Sequence, residues 1–346
     1  MEMKVRVGII GCGRIAQRFH IKSLFQSPNH QLVALCDERV EIAQELAQRY
    51  HVKKVFKDYR ELLLNEEVDA VVISTPPESH FDIIKASALA KKHVFVEKPL
   101  TNTVEECKEA IKLCEDNKVK LMVGFMRRFD KALAWSKEKI ASGDVGKVFV
   151  INSTYNLVAT YGEYLRTTDS EIVGKLTPSQ SYKENMHGFL INNLVHHADL
   201  IGWMAGSTTS LLASGIFESD YFTLNVLLKL EDGAMSQIQF NGFVKTDWQE
   251  SLVIHGSKGS LFVELFFPYL TTPSHAVFVS SGLGQRFSPL LATNTMYKDE
   301  LLYFLACIDS DSKPQPSAFE ALESQLIVAA IEKSLKEQTW VSLDGA

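Results

Sequence analysis

The chain has 346 residues, 46% apolar and 23% charged, and 36 Lys and Arg against 42 Asp and Glu leave a formal net charge of −6. That length suits about two domains, and the composition is that of a folded globular protein, not a disordered or fibrous one. The mild acidity argues against nucleic acid as a partner, because phosphate backbones are held by basic surfaces.

No run of ~18 apolar residues is present to span a bilayer. The N-terminus, Met1-Glu2-Met3-Lys4-Val5-Arg6, alternates charged with apolar side chains, unlike a secretory signal. The five cysteines, Cys12, Cys36, Cys107, Cys114 and Cys307, are odd in number and form no CxxC pair. A disulfide framework or a cysteine-based metal site is therefore not expected, and a reduced, cytoplasmic protein without a metal is.

In chain order, Lys4–Ile10 reads as a strand rich in Val and Ile, and Arg14–Phe25 as a helix. Strands are expected at Gln31–Cys36, Val52–Phe56, Ala70–Ser74, His93–Glu97 and Lys120–Gly124. Helices are expected between them at Glu38–Tyr50, Ser79–Ala90 and Val104–Asn117. Continuously apolar strands separated by helices are what a parallel sheet covered on both faces requires. Residues 1–125 therefore read as a doubly wound α/β domain.

Residues 126–346 read as a second, α+β domain. A strand is expected at Lys147–Asn156, a long polar segment over 157–187, and a helix at Gly188–Ala205. Such a long polar loop in a compact protein is commonly functional. Runs such as Phe222–Leu230, Ala234–Gly242 and Leu252–His255, joined by short polar breaks, imply a large, mostly antiparallel sheet. Two helices, Tyr297–Asp309 and Ala318–Leu335, follow.

The first strand runs into Gly11-Cys12-Gly13-Arg14-Ile15-Ala16, a G-x-G-x-x-A turn placed between strand and helix. Gly11 permits the tight turn, Gly13 lets a pyrophosphate approach the backbone, and Ala16 allows close helix–strand packing. The helix N-terminus then offers N–H groups to the anion. The second strand ends at Asp37, whose carboxylate can accept hydrogen bonds from ribose hydroxyls and repel a 2′-phosphate. NAD is thus expected over NADP, with Arg39 the one nearby residue that favours the latter. Asp37 also suits a helix N-cap.

The fourth strand leads into Ser74-Thr75-Pro76-Pro77-Glu78-Ser79-His80 and the fifth into Glu97-Lys98-Pro99. Together with the glycine turn and Val123-Gly124-Phe125-Met126-Arg127-Arg128-Phe129, these resemble the Gfo/Idh/MocA oxidoreductases, the glucose–fructose oxidoreductase and inositol dehydrogenase family. The resemblance covers nearly the whole chain, and Glu-Lys-Pro is its most specific mark. It implies a cofactor site drawn from Gly11, Cys12, Gly13, Arg14, Ile15, Asp37, Ser74, Thr75, Pro76, His80, Glu97 and Lys98. It places Lys98 beside the nicotinamide and the substrate hydroxyl, and has Tyr297 reaching back towards the cofactor. Independently of the family, Lys98 sits at the carboxyl end of a strand, where open α/β sheets bind ligands. A partly desolvated lysine there can transfer a proton or polarise a carbonyl. Pro99 holds Lys98 towards extended backbone.

The segment Gly188–Trp203 carries Asn192, His196, His197 and Asp199. At about 100° per residue, Asn192, His196 and Asp199 share one face, and His197 lies with Leu190, Leu194, Ala198 and Ile201. His196 is thus expected to face a cleft and His197 to be packed. The family pattern here is Asp-x-x-x-His-x-x-Asp, with His as the general acid/base. His196 and Asp199 match it, but Asn192 stands at the leading position. An Asn there resembles family members that oxidise nucleotide-linked sugars. Arg166, Lys175, Tyr182 and Lys183 are candidate substrate contacts.

The expectation is an NAD-dependent dehydrogenase that interconverts a ring secondary alcohol and a ketone by hydride transfer. His196 takes the hydroxyl proton, Lys98 steadies the alkoxide, and Asn192 is their polar neighbour. The substrate is a sugar, a cyclic polyol or a sugar nucleotide, the last making a UDP-sugar 3-dehydrogenase the alternative. A non-catalytic NAD-binding regulator and a glycosidase that keeps its NAD are the rivals on the same fold. The open face of the second sheet is expected, from the resemblance, to make a homodimer or homotetramer.

Overall fold

The computed structural model describes residues 5–159, 165, 171–174, 185–282 and 284–343. They fall into two compact units. The first takes in Met1–Met126 together with Glu171–Asn192 and Tyr297–Leu322. It is therefore wider than a contiguous 1–125 segment, because described residues of the two later pieces meet the first: Val173 is hydrogen-bonded to Gln17, His187 to Asn102, and Phe304 packs against Phe95.

That sheet has six parallel strands in the order β3-β2-β1-β4-β5-β6. In chain order the elements are β1 (Arg6–Ile10), a π turn (Ala16–His20) leading into α1 (Ile21–Phe25), and β2 (Gln31–Cys36). Then come α2 (Val40–Tyr50), β3 (Lys54–Phe56), α3 (Tyr59–Leu63), β4 (Ala70–Ile73), α4 (His80–Leu89), β5 (His93–Glu97), α5 (Val104–Asp116) and β6 (Leu121–Gly124). β4 and the middle of β5 are wholly buried, as strands covered on both faces must be. The order reverses between β1 and β4, the switch point at which such sheets bind ligands. Thr103 starts α5 with a reciprocal capping box to Glu106. The short helix α3, capped by Asp58, is too brief to show a helical period and was not legible in the sequence.

The second unit holds a nine-stranded sheet in the order β14-β13-β12-β11-β7-β10-β9-β8-β15. Its elements begin with α6 (Lys131–Ala141) and β7 (Val148–Val158). They continue through most of α7 (Met186–Ala205), then β8 (Thr208–Phe217), β9 (Phe222–Leu230), β10 (Met235–Val244), β11 (Gln249–Gly256) and β12 (Gly259–Leu265). β13 (His275–Ser280), β14 (Gln285–Phe287) and β15 (Val341–Ser342) complete the sheet. Two further helices are α8 (Met296–Asp309), nearly all in the first unit, and α9 (Ala318–Glu337).

The pairing is antiparallel except between β10 and β7. One face buries Ile151, Tyr155, Leu224, Val226, Ile238, Phe240, Leu252 and Ile254. The alternate residues of these strands, such as Asn152, Asn225 and Gln237, are half-exposed, the period-two pattern of a one-sided sheet. Asp130 caps α6 through the amides of Ala132 and Leu133, and its second oxygen accepts from Ser274 and Asn294.

Candidate active site

The turn after β1 is built by glycine for steric reasons. Gly11 has φ +91°, and a Cβ there would lie 2.5 Å from the Ser74 carbonyl oxygen. Gly13 is different: a Cβ on it would meet nothing nearer than that same oxygen at 4.0 Å, so its outer side is open. Gly13, Arg14 and Ile15 are half-exposed along this opening, and Ser74, Thr75 and Pro76 are half-exposed or exposed.

Asp37, at the carboxyl end of β2, is buried and aimed at the same turn. Its Oδ2 accepts the Cys12 amide at 2.8 Å, and its Oδ1 accepts the Arg39 amide at 2.9 Å. The Arg39 guanidinium also lies 3.5 Å from Oδ1. Cys12 itself is buried, and burial together with the Asp37 charge pushes its thiol well up. Its part in the turn is the amide that fixes Asp37.

Two residues expected at the cofactor are buried on protein partners. His80 is fully buried, its Nδ1 2.8 Å from the Pro99 carbonyl and its Nε2 3.0 Å from the Thr75 carbonyl. It ties the ends of β4 and β5 together, and burial holds its pKa down. Glu97 is also buried, with Oε1 2.7 Å from His20 Nε2. The side chain of the last β5 residue points into the core, where the sequence shows only that it precedes Lys98.

Lys98 is half-buried at the end of β5, and its peptide bond to Pro99 is cis. Its Nζ donates to the Asn192 carbonyl oxygen at 2.9 Å. Burial pulls its pKa below the ordinary lysine range, and the Glu97 charge opposes that. Tyr297 is buried with its ring stacked on Phe19, 4.0 Å between centroids.

On α7, Asn192 Nδ2 donates to the Gly188 carbonyl one turn back, at 2.8 Å. His196, four residues further on, is half-buried. His197 is buried, 2.6 Å from Ser153 Oγ and stacked on Tyr155. Asp199 shares the wheel face of His196 but is not open. It is buried in a bidentate pair with Arg128, Nε to Oδ2 at 2.9 Å and Nη2 to Oδ1 at 2.6 Å. A helical wheel gives direction but not what meets the face, and Arg128 comes from a distant part of the chain. Arg166, Lys175, Tyr182 and Lys183 lie outside the described residues.

Burial lowers the His197 pKa to about 3, against a usual value of 6.5. A group depressed on folding contributes stability that is present above its unfolded pKa and lost as pH falls. Thermal unfolding followed from pH 7 to pH 4 should show a steeper decline for wild type than for His197→Gln, which cannot take up a proton. Parallel curves would remove His197 from acid sensitivity.

Residues 5–125 match the model of the Gfo/Idh/MocA oxidoreductase family described as an NAD-binding Rossmann fold, and residues 134–262 match a C-terminal domain of the same family. The chain belongs to the Gfo/Idh/MocA oxidoreductase family. It is 27% identical to an inositol 2-dehydrogenase of Rhizobium meliloti, over 99% of this chain and 100% of that one. It is also 27% identical to a scyllo-inositol 2-dehydrogenase (NAD(+)) of Bacillus subtilis, over 99% and 98%. Its fold matches the crystal structure of a scyllo-inositol dehydrogenase from Lactobacillus casei with NAD(H) and scyllo-inositol bound. The TM-score is 0.78 at 19% identity, covering 98% of this chain and 99% of that one.

As a Gfo/Idh/MocA member it is an NAD-dependent oxidoreductase, and the geometry of the turn fits that cofactor. The open side of Gly13 leaves room for a pyrophosphate, and the fixed Asp37 carboxylate stands where ribose hydroxyls need an acceptor. Asp37→Ser removes the repulsion of a 2′-phosphate and leaves Arg39 to attract it. The preference for NAD over NADP, measured by titration of each, should narrow or invert. Wild type already preferring NADP would refute the role of Asp37.

Sequence reading missed His20, Arg128 and Glu300 as part of this framework. Only Glu300 left a signal. Tyr297, Glu300, Leu301 and Phe304 recur at helical spacing and are all buried, so a carboxyl occupies a core position of α8.

Proposed function

We propose that this Gfo/Idh/MocA member oxidises a ring secondary alcohol of a cyclic polyol or sugar to the ketone, reversibly, with Lys98 and His196 as its catalytic pair. The observation that carries the reading is Lys98 at a strand end, bound to the Asn192 carbonyl one helical turn before His196. NAD, when bound, supplies the hydride acceptor. The chain's own groups handle the proton and the charge. His196, neutral, accepts the hydroxyl proton at an imidazole nitrogen. The Lys98 ammonium donates a hydrogen bond to the oxygen as negative charge develops on it, the kind of electrostatic aid that counts most where water is scarce. The Asn192 carbonyl orients that ammonium, and its amide, anchored on Gly188, keeps the local helix face polar. Gly11, Gly13, Arg14, Ile15, Asp37, Ser74, Thr75 and Pro76 would hold the dinucleotide, and the buried Cys12, His80, Glu97 and Tyr297 would support the segments that carry them.

The full-length relatives named as inositol dehydrogenases favour a cyclic polyol over a nucleotide-linked sugar. NADH formation measured over inositols, free sugars and UDP-sugars tests this. Turnover confined to UDP-sugars would overturn the polyol reading, and none with any alcohol would overturn the whole.

The outer face of the nine-stranded sheet is read as the surface on which copies of the chain pair, as a dimer or tetramer. It exposes Leu227, Phe262 and Val279, and it carries a side-chain ladder from Thr223 through Asn241 and Asn156 to Gln249. Apolar side chains on an unpaired face favour burial against a partner. Light scattering of Leu227→Lys/Phe262→Glu should give a monomer where wild type gives a larger particle. No helix of the described residues is long and apolar enough to cross a membrane. The five cysteines, all buried as free thiols, support a reducing, cytoplasmic setting.

A further inference from the structure

The glycine turn is held from a distant stretch of the first unit, the strap Glu171–Gly174. The Glu171 carboxylate accepts Lys22 Nζ of α1 at 2.6 Å, and its carbonyl accepts Arg49 Nη1 of α2 at 3.1 Å. Gly174 has φ +79°, and a Cβ on it would lie 2.6 Å from Ile42 Cδ1, so this end fits closely against α2. Between the two ends Val173 is buried.

The partner of Val173 is Gln17, also buried. Gln17 stands on the π turn just after the glycines, where helical side chains lean back towards the N-terminus. Its Nε2 donates to the Cys12 carbonyl at 2.8 Å and to the Val173 carbonyl at 3.1 Å, and its Oε1 accepts the Val173 amide at 2.8 Å. These roles are forced, because carbonyl oxygens only accept and a backbone amide only donates. One side chain thus bridges the cofactor turn and the strap. At the turn it completes a lock. Asp37 holds the Cys12 amide and Gln17 holds the Cys12 carbonyl. A peptide unit is planar, so fixing the Cys12 carbonyl also fixes the Gly13 amide that shares its plane. The Lys22–Glu171 pair is exposed and adds little. Loss of Gln17 would instead strip both backbone groups of the buried Val173 of this partner, which costs more.

We propose that Gln17 is a positioning residue for the dinucleotide, and that docking of the strap and binding of NAD are coupled through it. The coupling runs from Val173 through Gln17 to the Cys12–Gly13 peptide and uses neither Lys98 nor His196. Such coupling is reciprocal: the factor by which the docked strap tightens NAD is the factor by which NAD tightens the strap.

Titration of the full chain with NAD, and hydrogen exchange of the segment 171–174 followed by mass spectrometry with and without NAD, test it. In wild type NAD should slow exchange of this segment. Gln17→Met keeps the length and apolar volume but neither donor nor acceptor. It should raise the Kd for NAD by about five- to thirtyfold, the scale of one or two buried hydrogen bonds. Exchange at 171–174 should become fast and indifferent to NAD, while kcat at saturating NAD stays within about twofold of wild type, since only the hold on the dinucleotide is touched. Gly174→Val places a β-branched residue at positive φ and undocks the strap while leaving Gln17 and the turn intact. It should also weaken NAD, by a factor that agrees within about twofold with the slowing of exchange by NAD in wild type. Lys22→Ala should change neither readout by more than about twofold. Should Gln17→Met not fold, Gly174→Val carries the test. Exchange in wild type that NAD does not slow, or an unchanged Kd in a folded variant whose strap exchanges freely, overturns the inference.

Discussion

Lys98→Met should lower kcat for alcohol oxidation by roughly 10²–10⁴, the scale of a positioned acid–base or charge-donating group. NAD affinity, measured by titration, should stay within a few-fold. The two effects separate because the groups lie in different places. The glycine turn and Asp37 form around β1 and β2, whereas Lys98 stands at the end of β5 on the Asn192 carbonyl. Methionine keeps most of the side chain's length and apolar volume, so the variant removes the charge with little repacking. The pH profile carries a second expectation. A cationic Lys98 is present below its pKa, and burial sets that pKa below the usual lysine range. Wild-type activity should therefore fall on the alkaline side earlier than an exposed lysine would allow, and Lys98→Met should lose that limb. Unchanged kcat in Lys98→Met would take the residue out of the mechanism.

His196→Ala should remove most of the turnover together with the acid limb of the oxidation profile. An imidazole that accepts the hydroxyl proton must be neutral, so oxidation rises with pH as it loses its own proton. His197→Ala should behave differently. Its ring fills a buried place between Ser153 and Tyr155, so the variant should lose stability as a core truncation does and keep the acid limb. Asn192→Asp is the informative neighbour. It exchanges the donor to the Gly188 carbonyl for a carboxylate that this carbonyl repels. The new charge, one turn from His196, should move the limb to higher pH by favouring the imidazolium. Retention of the limb in His196→Ala and its loss in His197→Ala would reverse the assignment.

Much of the first unit was legible because its signals are local. β2 and β5 are built around the apolar runs Leu32–Cys36 and Val94–Val96, and Gly11, Gly13 and Asp37 follow strand ends as a dinucleotide turn requires. The split between His196 and His197 was also legible, since helical spacing alone sends neighbouring residues to different faces. Asp199 shares the face of His196 yet is buried, because what meets that face is Arg128, 71 positions earlier. His80 looked like a ligand of the cofactor but serves the backbone, because the carbonyls of Thr75 and Pro99 converge on it only when β4 and β5 lie side by side.

The sequence by itself determined the fold class, the glycine turn with its acidic residue, and the placement of Lys98 and His196 on a strand end and a helix. Each of these depends on the chain within a few residues, through periodicity, turn sterics and charge. Only the tertiary structure decided which charged groups are partnered and which titratable ones are buried. It joined His20 to Glu97 across 77 positions and Arg128 to Asp199 across 71, and it placed Glu300 in the core. The physical reason is that burial and ion pairing depend on what distant segments bring to the same place, which no local pattern encodes.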